Sequence, residues 1–269
     1  MQKVIRYVQT HCGKDLSCYS ESFLVNTLSQ RIAETSTDNI RSYLEFIMHN
    51  PDETEILLKS LNNSFSQFFR NQIDFCIIEK FILPGLFSGR NSTLRIWSAA
   101  CAEGQEPYSV AMIVCDLIRK QFHGSRTRII ATDISEDALA KALTGKYAPE
   151  AVQNVKLLYV NDFFETKGQV YHIDEQIKGM VEFINYDLLD TNTTSPPIGI
   201  FSEYDIIICC NLLIYYRPRV QKLILKKLYA ALGTGCFLIV DESEKSIVSS
   251  FGGFRRYDSL GNIFVKSRN

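Results

Sequence analysis

Residues 94–112 of the chain are LRIWSAACAEGQEPYSVAM. The first eight letters are an apolar run typical of a buried strand, a loop of small residues follows, and a helix begins after the loop. This order is typical of an open α/β sheet, which binds ligands beyond the carboxyl ends of its strands. The loop contains one glycine, Gly104, where a dinucleotide fold has Gly-x-Gly-x-x-Gly, so we do not expect a pyrophosphate cradle.

Similar strand-like runs alternate with helical stretches through the rest of the chain, and this alternation predicts a parallel sheet covered by helices. The further runs are RIIATDIS (128–135), VEFINYDLL (181–189), YDIIICCN (204–211) and CFLIVDES (236–243). A last run, GNIFVKS (261–267), lacks a good crossover helix before it, so we expect it to pair antiparallel at the end of the sheet. Two short strands around Lys167-Gly168 predict a small β-rich insert at about 158–182.

Residues 1 to about 62 have no strand signal and predict a separate helical domain. Apolar residues recur at spacings of three and four in SFLVNTLSQRI and IRSYLEFIMHNPDETEILLKSL. Pro51 is expected to open a helix whose first turn is acidic. The predicted organisation is a helical domain at 1–62, a connecting segment at 63–91 and an α/β domain at 92–269.

Composition limits the classes of function. The 269 residues are 46% hydrophobic and 22% charged, with a formal net charge of −1, which gives no electrostatic case for nucleic acid or an anionic membrane. Neither an apolar run of ~18 residues nor a secretory leader is apparent, so we expect a cytoplasmic protein without membrane insertion. The eight cysteines form no Cys-x-x-Cys pair, and we expect the three in strand-like runs, Cys209, Cys210 and Cys236, to be buried free thiols rather than metal ligands.

The strand ends carry the candidate ligand-binding residues. Asp133 ends the second run, where a carboxylate can bind two ribose hydroxyls; the alternative is a helix N-cap. Asp187 and Leu188 end the third run, where a carboxylate could accept a hydrogen bond from an adenine amino group. The fourth run ends with Asn211 and two nearby tyrosines, of which Tyr216 is interpreted as a packed aromatic.

Several motifs in this order resemble the chemotaxis receptor methyltransferases, the CheR family. They are GKDLSCY, YLEFIMHNPDE, SQFFRN (66–71), IWSAACAEGQEPYSVAM, ATDISEDALAKALTGKY, VEFINYDLLD, YDIIICCNLLIYY and GTGCFLIVDESE. The resemblance implies a Rossmann-like S-adenosylmethionine-dependent methyltransferase domain with an N-terminal helical domain and a small inserted antiparallel β-subdomain. It also implies a monomer that methylates glutamates in the cytoplasmic domain of receptors, with a receptor tail docking on the β-subdomain.

The resemblance also implies roles for individual residues. Arg70 and Tyr215 match the positions beside the reacting methyl group, and Arg70 also matches a cofactor contact. The remaining cofactor-binding positions are Ser64, Ser66, Glu106, Asp133, Asp187, Leu188 and Asn211. Phe68 and Phe69 are expected to anchor the segment that bears Arg70.

The chain departs from the family pattern at several positions. Cys210 stands where an arginine is usual, Ser64 and Ser66 replace Asn and Thr, and Asp187 replaces Asn. The second helix, where the family has several arginines that face acidic receptor helices, has Arg31 alone. Three alternatives stay open: a signalling or adaptor module with little turnover, methylation of a different protein, and a nucleotide-dependent oxidoreductase. Arg70 could also form a structural ion pair between domains.

Overall fold

The computed structural model describes residues 1–62, 66–89, 93–196 and 203–267. The chain divides into two compact units. The first comprises Met1–Asn63 with Leu212–Lys222, and the second comprises Ser64–Asn211 with Leu223–Asn269. No helix in the described ranges is both long enough and apolar enough to span a bilayer.

The N-terminal part of the first unit consists of helices joined by short loops, as predicted, and the described residues of this unit have one isolated β-bridge, between Tyr19 and Tyr216. Its N-terminal helices are α1 (Gln2–Cys12), α2 (Glu21–Glu34), α3 (Ile40–His49) and α4 (Pro51–Ser60). Pro51 is the first residue of α4, with Asp52 and Glu53 in the first turn, because a proline there loses no helical hydrogen bond. The apolar faces of these helices enclose a core that includes Val8, Leu24, Tyr43, Ile47 and Leu57.

Residues 212–222 belong to this helical unit although they follow a strand of the other one. The Ser20 amide donates to the Tyr215 carbonyl oxygen at 2.8 Å, and the Arg217 amide donates to the Cys18 carbonyl oxygen at 3.0 Å. The rings of Tyr19 and Tyr216 stack with their centroids 5.2 Å apart. The sequence did not indicate this association, because the contacts join segments about 200 residues apart.

The second unit is built on a mixed sheet. In its described residues the strand order is β6-β2-β1-β7-β8-β10-β9. The strands are β1 (Leu94–Ala99), β2 (Thr127–Asp133), β6 (Val181–Asn185), β7 (Tyr204–Ile208), β8 (Leu232–Ile239), β9 (Phe254–Arg256) and β10 (Ile263–Lys266). The accompanying helices are α5 (Gln72–Ile77), α6 (Leu83–Ser88), α7 (Gln105–Lys120), α8 (Glu136–Thr144), α9 (Leu157–Phe163), α10 (Glu175–Lys178), α11 (Pro218–Ala231), whose first turn lies in the other unit, and α12 (Lys245–Phe251).

The order of the strands places the ligand site. Strand β1 pairs in parallel with β2 on one side and with β7 on the other, so the chain reverses its direction of winding between β1 and β7. Ligands bind beyond the carboxyl ends of the strands at such a switch point. The candidate ligand-binding residues are therefore those that follow β1, β2 and β7.

At the end of the sheet, one strand pairs as predicted and a further strand is present. Strand β10 pairs antiparallel with β8, as predicted from the missing crossover helix. Strand β9, a three-residue edge strand that pairs with β10, is not predicted by the sequence pattern. Its sequence, Phe254-Arg255-Arg256, is too short and too polar to show a strand pattern.

The insert forms the small antiparallel sheet that the resemblance implies, but with different limits. Strands β4 (Phe164–Lys167) and β5 (Val170–Ile173) flank Lys167-Gly168 as predicted. A third strand, β3 (Lys146–Tyr147), pairs with β5 and lies outside the expected 158–182. Within that range, α9 and α10 are helical, so the prediction of a β-rich segment was only partly right.

The loop after β1 requires a glycine at position 104. The φ of Gly104 is +91°, and an added Cβ would lie 2.9 Å from the Ala142 Cβ and 3.2 Å from the Phe183 ring. We predict that Gly104→Ala lowers the free energy of unfolding by about 2–4 kcal/mol, because the strained backbone and the close contact add. Urea denaturation measures this loss.

Gly168→Ala is the matched control, since Gly168 also has a positive φ of +64° but has no atom within 4 Å of an added Cβ. It should cost only about 1 kcal/mol. Equal losses in the two variants would contradict the role assigned to the contact at Gly104.

Candidate cofactor and methyl-transfer site

The loop after β1 has a strained backbone. Three residues of this loop have positive φ values, which residues with a Cβ rarely adopt: +62° at Ala100, +50° at Ala102 and +91° at Gly104. The Cys101 amide donates to the Thr132 carbonyl oxygen at 2.9 Å, and the Ala102 amide donates to Asp133 Oδ2 at 2.9 Å. Strained residues that their surroundings hold in place are typical of functional sites.

Asp133 lies at the end of β2 and fastens this loop. Its Oδ1 accepts a hydrogen bond from the Ser135 amide at 2.9 Å, while Oδ2 accepts the one from Ala102. The N-cap of α8 is Ser135, so the alternative interpretation of Asp133 as the cap residue is wrong. Burial raises the pKa of Asp133. Each carboxylate oxygen can accept a further bond, which leaves Asp133 able to bind hydroxyl groups.

Glu106 is a partly buried carboxylate in the first turn of α7. Ser98, at the end of β1, donates its hydroxyl hydrogen to Glu106 Oε1 at 2.7 Å, and the Cys210 thiol also hydrogen-bonds to the carboxylate. Burial raises the pKa of Glu106 to about 7, although these bonds and the charge of Arg70 lower it. A carboxylate in this setting fits a ligand that brings a positive charge.

Cys210 thus occupies the position of the usual arginine as a neutral donor to Glu106. Burial raises the pKa of its thiol well above the ordinary value, with the charges of Glu106 and Glu244 acting in the same direction. Cys209 and Cys236 are buried free thiols, as expected, whereas Cys210 is only half-buried.

Asn211 follows β7 in the left-handed conformation, with φ +57°. Its amide donates to Glu244 Oε2 at 3.0 Å, and the same oxygen accepts a bond from the Asp241 amide. Glu244 is fully buried and lies in the short 3-10 helix Glu242–Glu244 that follows β8, so its carboxylate holds the loop after β7. Three residues of this region, Glu244, Ser98 and Ser109, are not predicted from the sequence, because only their burial distinguishes them from ordinary polar residues.

Asp187 and Leu188 lie in the loop after β6 rather than on the strand, which ends at Asn185. Asp187 is exposed, and its Oδ1 accepts a hydrogen bond from the Leu189 amide at 2.7 Å. An exposed acceptor beside the half-buried Leu188 is compatible with an adenine ring, and this assignment stays a prediction.

Arg70 lies on an exposed turn between Phe69 and α5. Phe68 and Phe69 are buried, as expected of anchors, and Phe69 has a φ of +51°. On the other side of Arg70, Asp74 accepts bonds from the amide and the side chain of Asn262 at 2.7 and 2.9 Å. The turn is therefore fastened both before and after Arg70, which presents its cation from a fixed backbone.

The other predicted site residues are placed differently. Ser64 lies outside the described residues, and Ser66 is half-buried before the Phe-Phe-Arg turn. Tyr215 belongs to the first unit, where its ring lies 4.7 Å from that of Phe23. Its predicted role beside the transferred methyl group stays a prediction.

The sequence matches two family descriptions in tandem. Residues 1–61 match "CheR methyltransferase, all-alpha domain", and residues 64–255 match "CheR methyltransferase, SAM binding domain". The chain belongs to the CheR methyltransferase family. It is an S-adenosylmethionine-dependent methyltransferase with a Rossmann-like fold, as the resemblance implied.

Relatives cover most of this CheR chain. A "Chemotaxis protein methyltransferase" of Borreliella burgdorferi is 27% identical over 254 residues, 91% of this chain and 87% of that protein. One of Listeria monocytogenes is 26% identical over 259 residues, 96% of this chain and 94% of that protein. An uncharacterised 104.1 kDa protein of Rhodobacter capsulatus is 29% identical over 228 residues, and the matched region is 84% of this chain but only 23% of that longer protein.

The strand-end residues fit S-adenosylmethionine on chemical grounds. Its ribose hydroxyls, adenine amino group and ammonium group are donors, and the predicted site supplies carboxylate acceptors in Asp133, Asp187 and Glu106. The partly buried Glu106 is the most informative of these, since a carboxylate with its pKa raised by burial gains most from a cation.

We predict that the affinity for S-adenosylhomocysteine falls as the pH falls through 7. Below its pKa of about 7, Glu106 is protonated and loses the charge that attracts the ligand ammonium. At pH 6 about a tenth of the carboxylate remains ionised, so calorimetry should show the Kd rising by up to about tenfold between pH 8 and pH 6.

Glu106→Gln is the control, because Gln keeps an acceptor for Ser98 but carries no charge. The Kd of this variant for S-adenosylhomocysteine should be higher than that of wild type at pH 8 and nearly constant from pH 8 to pH 6. A wild-type Kd that does not change over this range would contradict the contact between Glu106 and the ammonium group.

Proposed function

We propose that this methyltransferase esterifies glutamate side chains in the cytoplasmic domain of chemotaxis receptors. The observation that carries the proposal is the position of Arg70, an exposed guanidinium on a turn that is fastened before and after it. A cation in this position suits a substrate that is itself a carboxylate. Relatives such as the Listeria protein are named chemotaxis protein methyltransferases, which supports a protein of the chemotaxis system as the substrate.

Methyl transfer to a carboxylate requires that the reacting groups are aligned, and it does not require a general base. A glutamate side chain has a pKa near ~4.3 and is already an anion at neutral pH. S-adenosylmethionine supplies a methyl group on a positively charged sulfur. The protein must hold the carboxylate oxygen in line with that methyl group and exclude water, and such placement can lower a barrier by roughly 7–11 kcal/mol.

Arg70 is proposed to orient the incoming carboxylate. A planar guanidinium can grip both carboxylate oxygens at once, which fixes direction as well as distance. Ser98 and Cys210 hold Glu106, and Asp133 and Glu244 hold the loops after β1 and β7. With these loops fixed, the position of the cofactor is fixed relative to Arg70 before the substrate arrives.

The mode of receptor docking is a finer part of the proposal. Strand β4 lies at one edge of the small sheet and pairs with β5 alone among the described residues. An extended receptor tail could add a strand at this edge. That the enzyme acts as a monomer stays a prediction.

A different protein substrate is the second candidate, and one observation favours it. Arg31, the basic residue of α2, is 10% exposed in its side chain, and it donates to both oxygens of Glu53 at 2.8 and 2.6 Å. Tyr43 donates to the same Glu53 at 2.8 Å, and Glu34 also pairs with Arg31. Arg31 therefore stabilises the helical unit and is a poor candidate for contacting an acidic partner helix.

A direct assay tests the proposal against this second candidate. The enzyme is incubated with methyl-labelled S-adenosylmethionine and a receptor cytoplasmic fragment, and base-labile label is mapped by mass spectrometry. The proposal requires methyl esters on glutamates of the receptor fragment. Label that appears only on other proteins in membranes of the source organism would favour the second candidate.

We predict that Arg70→Ala lowers kcat/KM for the protein substrate by about a hundredfold or more, because a charge-assisted two-point contact is worth at least ~2–3 kcal/mol. The Kd for S-adenosylhomocysteine, measured at pH 8 where Glu106 is mostly ionised, should change far less than kcat/KM, since the proposed main role of Arg70 is to orient the substrate. Steady-state methylation kinetics and calorimetry measure the two quantities.

Arg70→Lys is the matched control, since it keeps the charge without the planar fork and should recover only part of the loss. A lower Tm with unchanged turnover per folded molecule would instead assign Arg70 to a structural ion pair.

A further inference from the structure

The turn that bears Arg70 begins with an unfavourable backbone. Phe69 has a φ of +51°, a conformation that a residue with a bulky side chain rarely adopts without support. Its ring is 5% exposed and lies edge-on to Phe75, with the centroids 5.1 Å apart. Ring packing holds the side chain of Phe69, but it does not by itself select this φ.

A buried serine holds the backbone of Phe69. The Phe69 amide donates to the Oγ of Ser109 at 3.1 Å, and Ser109 is 0% exposed. The Ser109 hydroxyl in turn donates to the Gln105 carbonyl oxygen at 2.7 Å. A serine hydroxyl has one hydrogen, so this second bond turns the oxygen lone pairs towards the Phe69 amide.

The same helix connects this serine to the cofactor site. Ser109 follows Glu106 by three residues on α7, a spacing that places two side chains on neighbouring positions of one helix face. Glu106 faces the end of β1 through Ser98, while Ser109 faces the turn before Arg70. Helix α7 therefore sets the position of the Arg70 turn relative to the carboxylate of Glu106.

We propose that Ser109 is a positioning residue for methyl transfer, which acts by holding Phe69 in its left-handed conformation and so fixing the backbone that carries Arg70. The inference rests on the proposed role of Arg70 in orienting the substrate. Without the Ser109 acceptor, Phe69 relaxes towards an ordinary φ and the guanidinium leaves its place. A displacement of about 1 Å at such a group can reduce a rate by about a hundredfold.

The test is Ser109→Ala, measured by steady-state methylation of the receptor fragment and by calorimetry with S-adenosylhomocysteine. We expect kcat/KM for the protein substrate to fall by about tenfold or more, with the Kd of S-adenosylhomocysteine within twofold of wild type. Ser98→Ala is the matched control, because it also removes a fully buried hydroxyl but one that bonds to Glu106. It should weaken S-adenosylhomocysteine binding.

A double-mutant cycle separates positioning through Arg70 from general damage to the fold. In the Arg70→Ala background, Ser109→Ala should cause little further loss, since there is no guanidinium left to misplace. An undiminished further loss, or equal losses in cofactor affinity and turnover for Ser109→Ala alone, would overturn the inference. If Arg70→Ala itself leaves kcat/KM unchanged, it is the proposed function of Arg70 that fails.

Ser109→Cys keeps the test decisive should Ser109→Ala fail to fold. The thiol fills the space of the hydroxyl and is a weaker acceptor, so its kcat/KM should lie below that of wild type with its Tm nearly restored. Full activity in a folded Ser109→Cys protein would show that the hydrogen bond to Phe69 is not needed.

Discussion

The hydrogen bond from the Ala102 amide to Asp133 joins the ends of two neighbouring parallel strands. It holds a left-handed alanine in the loop after β1, and that loop leads directly to Gly104 and the start of α7. Two features of the candidate site are built on this helix: Glu106 and Ser109 project from it, and Ser109 accepts a hydrogen bond from the Phe69 amide in the turn before Arg70. Loss of the Asp133 acceptor would thus disturb the loop after β1 as well as the predicted ribose contact.

The site repeats one device at three loops. Ala102, Asn211 and Phe69 each have a positive φ, and each donates its amide to a side chain of another element, namely Asp133, Glu244 and Ser109. Glu244 and Ser109 are buried and Asp133 is half-buried, and each is itself hydrogen-bonded, so these acceptors have little freedom to move and hold each loop in one conformation. This arrangement suits a reaction whose barrier depends on alignment rather than on proton transfer.

The sequence predicts those parts that depend on local pattern and leaves out those that depend on distant contacts. The strand ends could be located because apolar runs stop at Asp133 and near Asn211, and the parallel order follows from the intervening helices. Ser109 and Glu244 have no such signal, since their function comes from burial against segments far away in the chain. Arg31 could be counted from the sequence, but its ion pair with Glu53 could not.

The helical unit is not continuous in sequence, because Leu212–Lys222 completes it. Tyr19 stacks on Tyr216, and Phe23 packs on Tyr215, both from that late segment. An expression fragment that stops at residue 62 would expose these aromatic faces to water and would be inclined to aggregate. To express the helical unit by itself, the chain should therefore not simply be cut at the boundary between the two family matches, at residues 61–64.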